Sequence, residues 1–230
     1  MNAASRWPVT LTVTYYPEPE LLLCQLRALP AACRKLVVDN GTAAAHWAAV
    51  DAQLGGVPNL ECLRLGRNLG LAAAINHGMR HLADASGDTL VLWLDQDSEP
   101  TADALQRLVE AHDGLLASGA PVGAVGPVLV DAVTGLAHGF HCIHGWRWRR
   151  VHPAPGTRPL PCASLNGSGT MLRLSVWRAL GGLDEALFID HVDTEWSFRL
   201  RAAGYGLWGV PDAVFRHRMG VCSRRLWLVG

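Results

Sequence analysis

Asp95 and Asp97 close the stretch "LVLWLDQDSEP" at residues 90–100. A buried strand gains nothing by ending on two acids. Neighbouring carboxylates repel, and one is driven toward its protonated form unless a cation sits between them. If extended backbone continues through Asp97, side chains two apart point to one face and the pair shares a direction. Oxygen ligands of this kind suit Mg2+ or Mn2+, with substrate phosphates filling the shell. The bland alternative is a solvated strand end with Asp and Ser as turn formers. A bare D-x-D is a common pattern, but the apolar run before it fixes these acids at a sheet edge.

Further candidates stand elsewhere along the chain. Asp39 in "LVVDNGT" offers an acceptor for a nucleobase imide N–H, or is simply part of a turn. Arg67 and Asn68 precede a helix start, where phosphates are attracted and where an Asn cap is equally at home. Asn76 and His77 on that helix face either the site or solvent. Asp190, Asp193 and Glu195 surround another helix start, as a general base or as partners of the helix dipole. Glu195 and Arg199 are spaced for a surface ion pair. His217 could serve as a late metal ligand through a neutral imidazole, or be structural. His138, His141 and His144 flank Cys142 and invite a zinc reading. Their spacing matches no common zinc motif, and a strand would splay His138 from His141. "WRWRR" at 146–150 could touch phosphates or a membrane surface, or be a solvated loop.

The elements that must position these residues alternate. Strands are expected at 9–16, 35–40, 60–66, 89–95 and 122–130, and helices at 42–54, 69–83 and 101–118, with another in "EPELLLCQLRAL". Thr101 is expected to cap the helix that follows it. This alternation implies an α/β fold with a mostly parallel sheet, helices on both faces and right-handed crossovers. Ligands of such sheets bind beyond the carboxyl ends of the strands. Asp39, Arg67, Asn68, Asp95 and Asp97 all fall at such ends. After residue 131 the pattern gives way to Gly, Pro, His and Arg, read as a hairpin or two and a long loop. A strand in "SLNGSGTMLRL", a helix over 192–204 stopped by Gly204 and a closing strand complete the chain.

The 230 residues suit one domain, and 20 basic residues balance 20 acidic ones. With no net positive field, nucleic acid is not an expected partner. The six cysteines are scattered without a C-x-x-C pair and read as reduced, mostly buried thiols. With neither a signal-peptide pattern nor 18 consecutive apolar residues, a cytoplasmic location is expected.

Taken together and in order, the motifs resemble family 2 glycosyltransferases of the GT-A fold, especially the bacterial rhamnosyltransferase group. The stretches are "VTVTYYPEPELL", "LVVDNGT", "GRNLGLAAAINHG", "LWLDQDSEP", "GAVGP", "NGSGTMLRLSVWRALGGLDEALFIDHVDTEWSFRLRAAGY" and "HRMG", spanning nearly the whole chain. The resemblance implies a single GT-A domain, with a nucleotide-binding half over residues 8–130 and an acceptor and catalytic half over 131–220. Thr14 and Tyr15 would border the nucleotide, Asp39 would hold the base, and Arg67 and Asn68 would lie beside the ribose and diphosphate. Asp97 would be the direct ligand of Mg2+ or Mn2+, with Asp95 nearer the ribose and His217 completing the metal site. Asp193 would be the catalytic base, in the second position of the family's E-D pair. Val192 stands in the first, as in the subgroup's D-x-V-D pattern, and Asp190 is the other acid at hand. Asp190 and Trp196 are candidates for acceptor contact or support behind the base.

The implied reaction is metal-dependent, inverting transfer of a sugar from a dTDP- or UDP-linked donor. Rhamnose from dTDP-rhamnose is the subgroup's donor, and a glycan or lipid-linked glycan of cell-surface polysaccharide synthesis the implied acceptor. Peripheral contact with the inner face of the membrane would accompany such an acceptor. Members of the group run on past H-x-x-G, whereas this sequence stops ten residues later. A nucleotide-sugar-binding remnant without turnover is therefore the alternative. A haloacid-dehalogenase-like phosphatase would place D-x-D near the N-terminus with a supporting lysine, and Lys35 is the only lysine here. A nucleotidyltransferase would need a Gly-rich basic loop after the first strand, and "YYPEPE" is neither.

Overall fold

The computed structural model describes residues 7–82 and 85–217, and only the backbone of His144. In chain order the elements are β1 (Val9–Thr14), α1 (Pro19–Ala28), β2 (Lys35–Asp39), α2 (Ala44–Leu54), β3 (Leu60–Arg64), α3 (Leu71–His81), β4 (Leu90–Asp95) and β5 (Ser98–Pro100). There follow α4 (Ala104–Ala117), β6 (Val122–Asp131), β7 (Ala137–His138), β8 (Phe140–His144), β9 (Arg147–Val151), β10 (Leu160–Cys162), β11 (Met171–Arg173) and α5 (Leu174–Leu180). A single 3-10 turn (Glu185–Leu187), α6 (Val192–Ala202) and β12 (Gly206–His217) end the described chain.

One large sheet runs in the order β10-β12-β6-β11-β4-β1-β2-β3. The β4-β1-β2-β3 portion is parallel, as is the β12-β6 pair, and β11 enters antiparallel between β4 and β6. Period-two alternation sends successive side chains to opposite faces. Leu11, Val38 and Trp93 join α3, α5 and α6 in one core. Val37, Leu92 and Leu94 join α1, α2 and α4 in the other. Both faces are covered, which is why these strands are buried along their length, threonines of β1 included.

Two local expectations are corrected. Helix α4 begins later than the Thr101 cap implied. Its N-cap is Asp103, without a side-chain capping bond, while the Thr101 hydroxyl donates to Asp103 Oδ1 at 3.2 Å. Extended backbone also does not continue through Asp97. The strand ends at Asp95, and Gln96 and Asp97 form a turn into β5. Gly204, with φ of +86°, follows α6 as expected. The expected hairpin is the separate two-stranded β8-β9 sheet. The "polar turn" after the last strand falls at residues 218–220, outside the described residues.

Candidate active site

The turn at Gln96 and Asp97 brings the two acids together. Strand β5 then pairs antiparallel with the end of β12, setting Ser98 opposite His217. Thus a residue 120 positions beyond Asp97 arrives beside it. One ligand atom each from Asp95, Asp97 and His217 lies within 4.8 Å of the others. His217 Nδ1 is 3.4 Å from Asp97 Oδ1 and 2.8 Å from Ser98 Oγ. Ser98 Oγ is 2.6 Å from Ser168 Oγ, which accepts the Asp95 N–H at 3.1 Å. From behind, buried Gln25 on α1 donates through Nε2 to the carbonyls of Asp95 (2.5 Å) and Ser98 (2.7 Å). Its Oε1 accepts the Thr12 hydroxyl at 2.9 Å. One amide therefore clamps both sides of the acidic turn.

Burial pushes the Asp95 carboxyl up to about 6; His217 opposes the rise, and Asp97 and Asp193 add to it. A crowded carboxylate pair with one imidazole is a donor set that Mg2+ or Mn2+ fits, because the cation relieves the repulsion.

Asp95 and His217 line a cavity of about 300 Å3, together with Asp193 and Trp93. Asp193 sits in the first turn of α6. Its Oδ2 accepts the Gly167 N–H at 3.2 Å and its Oδ1 the Thr194 N–H at 2.7 Å, so main-chain donors fix the carboxylate's orientation. The loop into α6 holds two non-glycine residues at positive φ, Phe188 (60°) and His191 (62°). Such backbone is costly and clusters at functional sites. Gly70 makes room for it: a Cβ there would lie 2.6 Å from Phe188 Cδ2. Ile189 lines the cavity, whereas Asp190 is exposed and does not. Trp196 is buried, its ring 6.0 Å from that of Trp93, and so lies behind the cavity wall. His138 and His141 line the cavity as well, and Arg150 reaches it from β9.

The remaining sequence candidates gather at the ends of β1, β2 and β3 without lining that cavity. Thr14, Asp39 and Arg64 are side by side in register. Buried Asp39 accepts from Arg64 Nε at 3.2 Å and from the Thr42 N–H at 3.1 Å. The Thr14 hydroxyl is buried with no hydrogen-bond partner, as is that of Thr10 on the same strand. Tyr15 is half exposed, and its N–H donates to Gln96 Oε1 at 2.9 Å. Asn68 Oδ1 accepts from Asn40 Nδ2 and from the Gly70 N–H, both at 2.9 Å. Arg67 is exposed, in a loop that approaches Gly41 so closely that a Cβ there would lie 2.3 Å from its carbonyl carbon. Two adjoining sets result: one at the ends of β1–β3, and an acid-lined cavity at β4, β12 and α6.

Gln25, Ser98, Ser168, Asn40 and Arg64 were not singled out from sequence. Only Ser98, adjacent to the acids, and Ser168, in a Gly-rich loop, had a local signal. Asn76 proves structural, with its amide bonded to Leu183, Trp177 and Glu185. The Glu195–Arg199 pair forms with two contacts of 2.7 Å. Lys35 is buried, its ammonium donating to the carbonyls of Pro30, Cys33 and Pro58, which leaves it no role at the acids.

The sheet order and its layers of helices are those of the GT-A fold, and solved structures of that fold superpose well. GalNAc-T7, solved with UDP, GalNAc and Mn2+, gives a TM-score of 0.69 at 17% identity, over 94% of this chain and 45% of that one. The mannosyltransferase PcManGT of Pyrobaculum calidifontis, in complex with GDP-Man and Mn2+, gives 0.64 at 21% identity, over 95% and 59%. This chain thus spans less than two thirds of either solved chain.

By sequence, residues 13–150 match glycosyl transferase family 2, and the chain belongs to that family. It is 32% identical over 211 residues to the dTDP-rhamnosyl transferase RfbF of Shigella flexneri, covering 90% of this chain and 68% of that protein. It is 29% identical to the N-acetylglucosaminyl-diphospho-decaprenol L-rhamnosyltransferase of Mycobacterium tuberculosis, covering 90% and 74%. The chain is therefore a rhamnosyltransferase-like glycosyltransferase. Among the described residues, no helix is long and apolar enough to cross a membrane.

Proposed function

We propose that this glycosyltransferase moves rhamnose from dTDP-rhamnose to a glycan or lipid-linked glycan, with inversion at the anomeric carbon. The observation that carries this reading is the shared cavity of Asp95, His217 and Asp193, alongside the two rhamnosyltransferase relatives. Asp97, Asp95 and His217 would hold Mg2+ or Mn2+, which supplies positive charge against the departing diphosphate. Asp39 would accept from the nucleobase. Thr14 and Tyr15 would border the nucleoside, and Arg67 and Asn68 the diphosphate. Asp193 would take the proton of the acceptor hydroxyl as that oxygen attacks the anomeric carbon from the face opposite the leaving group. A single displacement of this kind inverts the centre and needs no covalent enzyme intermediate. Asp190, being exposed, is assigned no proton transfer.

Calorimetric titration with dTDP and UDP, with and without Mn2+, tests the donor site. Binding that strengthens with Mn2+ is expected, and a folded protein that binds neither nucleotide would refute the reading. Asp193→Asn then separates a transferase from a nucleotide-binding remnant. It should keep nucleotide affinity and lose sugar transfer and donor hydrolysis by at least about a hundredfold. Wild-type protein without transfer or hydrolysis would favour the remnant.

A further inference from the structure

Strand β5 does more than carry the chain away from the acids. Its first residue, Ser98, is fully buried and stands opposite His217 in the antiparallel register of β5 and β12. Residues directly opposite each other project to one face of a sheet, so the hydroxyl and the imidazole meet. His217 Nδ1 lies 2.8 Å from Ser98 Oγ and 3.4 Å from Asp97 Oδ1, the latter long for a hydrogen bond. A ring nitrogen has a single in-plane position for a proton or a lone pair, and at Nδ1 Ser98 takes it. On the far side of Ser98, its Oγ is 2.6 Å from the Oγ of Ser168. Ser168 is buried as well and accepts the Asp95 N–H at 3.1 Å. Imidazole, hydroxyl and hydroxyl therefore form one hydrogen-bonded chain behind the acids.

The direction of that chain decides what His217 can do. If Ser98 donates to Nδ1, a neutral imidazole carries its proton on Nε2 and has no lone pair left for a cation. If Nδ1 donates to Ser98, Nε2 is bare. Ser98 must then place its own O–H, because a buried hydroxyl proton without an acceptor is costly. Ser168 Oγ is the acceptor within reach. A carboxylate in the place of Ser98 would also hold an Nδ1 proton, but it would put a third negative charge beside Asp95 and Asp97. Two hydroxyls in series fix the ring without adding charge.

We propose that Ser98 is a positioning residue of the metal site. It accepts the N–H at Nδ1 of His217, donates its own O–H to Ser168, and so leaves Nε2 as the ligand atom. Ligand histidines are commonly oriented through their second nitrogen in this way. Ser168 completes the arrangement from two sides: one oxygen holds the backbone of Asp95 and, through Ser98, the tautomer of His217. The inference rests on the metal-dependent transferase reading and names the residues that prepare its imidazole.

The test is made without nucleotide and at one fixed pH. Calorimetry follows Mn2+ binding. NMR of protein carrying isotope-labelled histidine follows Cd2+, a diamagnetic ion of similar size. His217 is one of ten histidines, and its signals are those missing from His217→Gln. With Cd2+ bound, the wild type should show His217 coordinated through Nε2 with its proton on Nδ1. Ser98→Ala, checked for folding by circular dichroism, should weaken Mn2+ binding by about tenfold or more. Ser98→Thr, which keeps the hydroxyl, should restore it. Ser168→Ala leaves Ser98 beside His217 but removes the acceptor of its O–H. In the metal-free protein this variant should raise the share of the Nε2–H tautomer, which a packing defect alone would not do. That readout decides the matter if the threonine is not accommodated. Coordination through Nδ1 would overturn the proposal. So would an unchanged Mn2+ affinity in Ser98→Ala, even with a lowered Tm, or an unchanged tautomer in Ser168→Ala. Each of these strikes the serine chain alone and leaves the transferase reading standing. A folded wild type that binds neither ion would strike the metal site itself, and the chain's role with it.

Discussion

Asp95 concentrates the electrostatics of the site in one carboxyl. Its affinity for protons is raised to about 6 by burial and by Asp97 and Asp193, against His217. Metal and proton therefore compete for it. Below about pH 6, Mn2+ affinity should fall by up to about tenfold per pH unit, and above that it should level off as far as this group is concerned. The sign for stability is opposite in the metal-free protein. Ionising a carboxyl whose folded-state pKa is raised costs folding free energy, so its contribution declines as pH rises from about 4 through about 6. Mn2+ titrations between pH 5 and 8 measure the first effect, and a flat profile would count against Asp95 as a ligand. Asp97→Ala should weaken dTDP or UDP binding chiefly when Mn2+ is present; equal weakening without metal would remove it from the metal shell.

At the scale of elements, helix α1 governs a turn it does not belong to. Gln25 bonds the carbonyls on both sides of the acids and the Thr12 hydroxyl on β1. Gln25→Leu, close to it in size, would leave these buried groups unpaired at a cost of about 1–3 kcal/mol. Thermal denaturation should register that loss, and Mn2+ affinity should drop with it because the turn loosens. An unchanged Mn2+ affinity would mean that the β5-β12 pairing holds the ligands unaided. Strands β2 and β4 were legible as short buried runs and β1 by its β-branched residues. Strand β5 was not: three residues become a strand only through pairing with β12. Gln25 was also hidden, since a polar residue inside an amphipathic helix gives no hint of partners 70 positions away. The same non-locality explains His217. Its metal role was suggested by resemblance, whereas its place beside Asp97 comes from strand register. Helix α5 went unread because seven residues are too few for a period to show.

For the molecule as a whole, the gathering of candidate residues at the strands' carboxyl ends was readable, and their division into two sets across that edge was not. Alternation sends Thr14 and Asp39 to the α1 and α2 side, and Asp95 to the α3 and α6 side. A sequence shows this only once strand ends are known to the residue. The two sides meet where Gly70 touches Phe188. The backbone N–H of Gly70 is held by Asn68 beyond the end of β3, and the missing side chain admits the loop that leads to Asp193. Gly70→Ala should cost about 1–3 kcal/mol through its positive φ and the clash with Phe188. It should also slow sugar transfer more than it weakens nucleotide binding; the reverse split in kcat and KM would uncouple the two sides. An absent methyl group thereby joins the two halves of the site: Gly70 is tied to Asn68 through its N–H and leaves Phe188 the room that the loop into α6 requires.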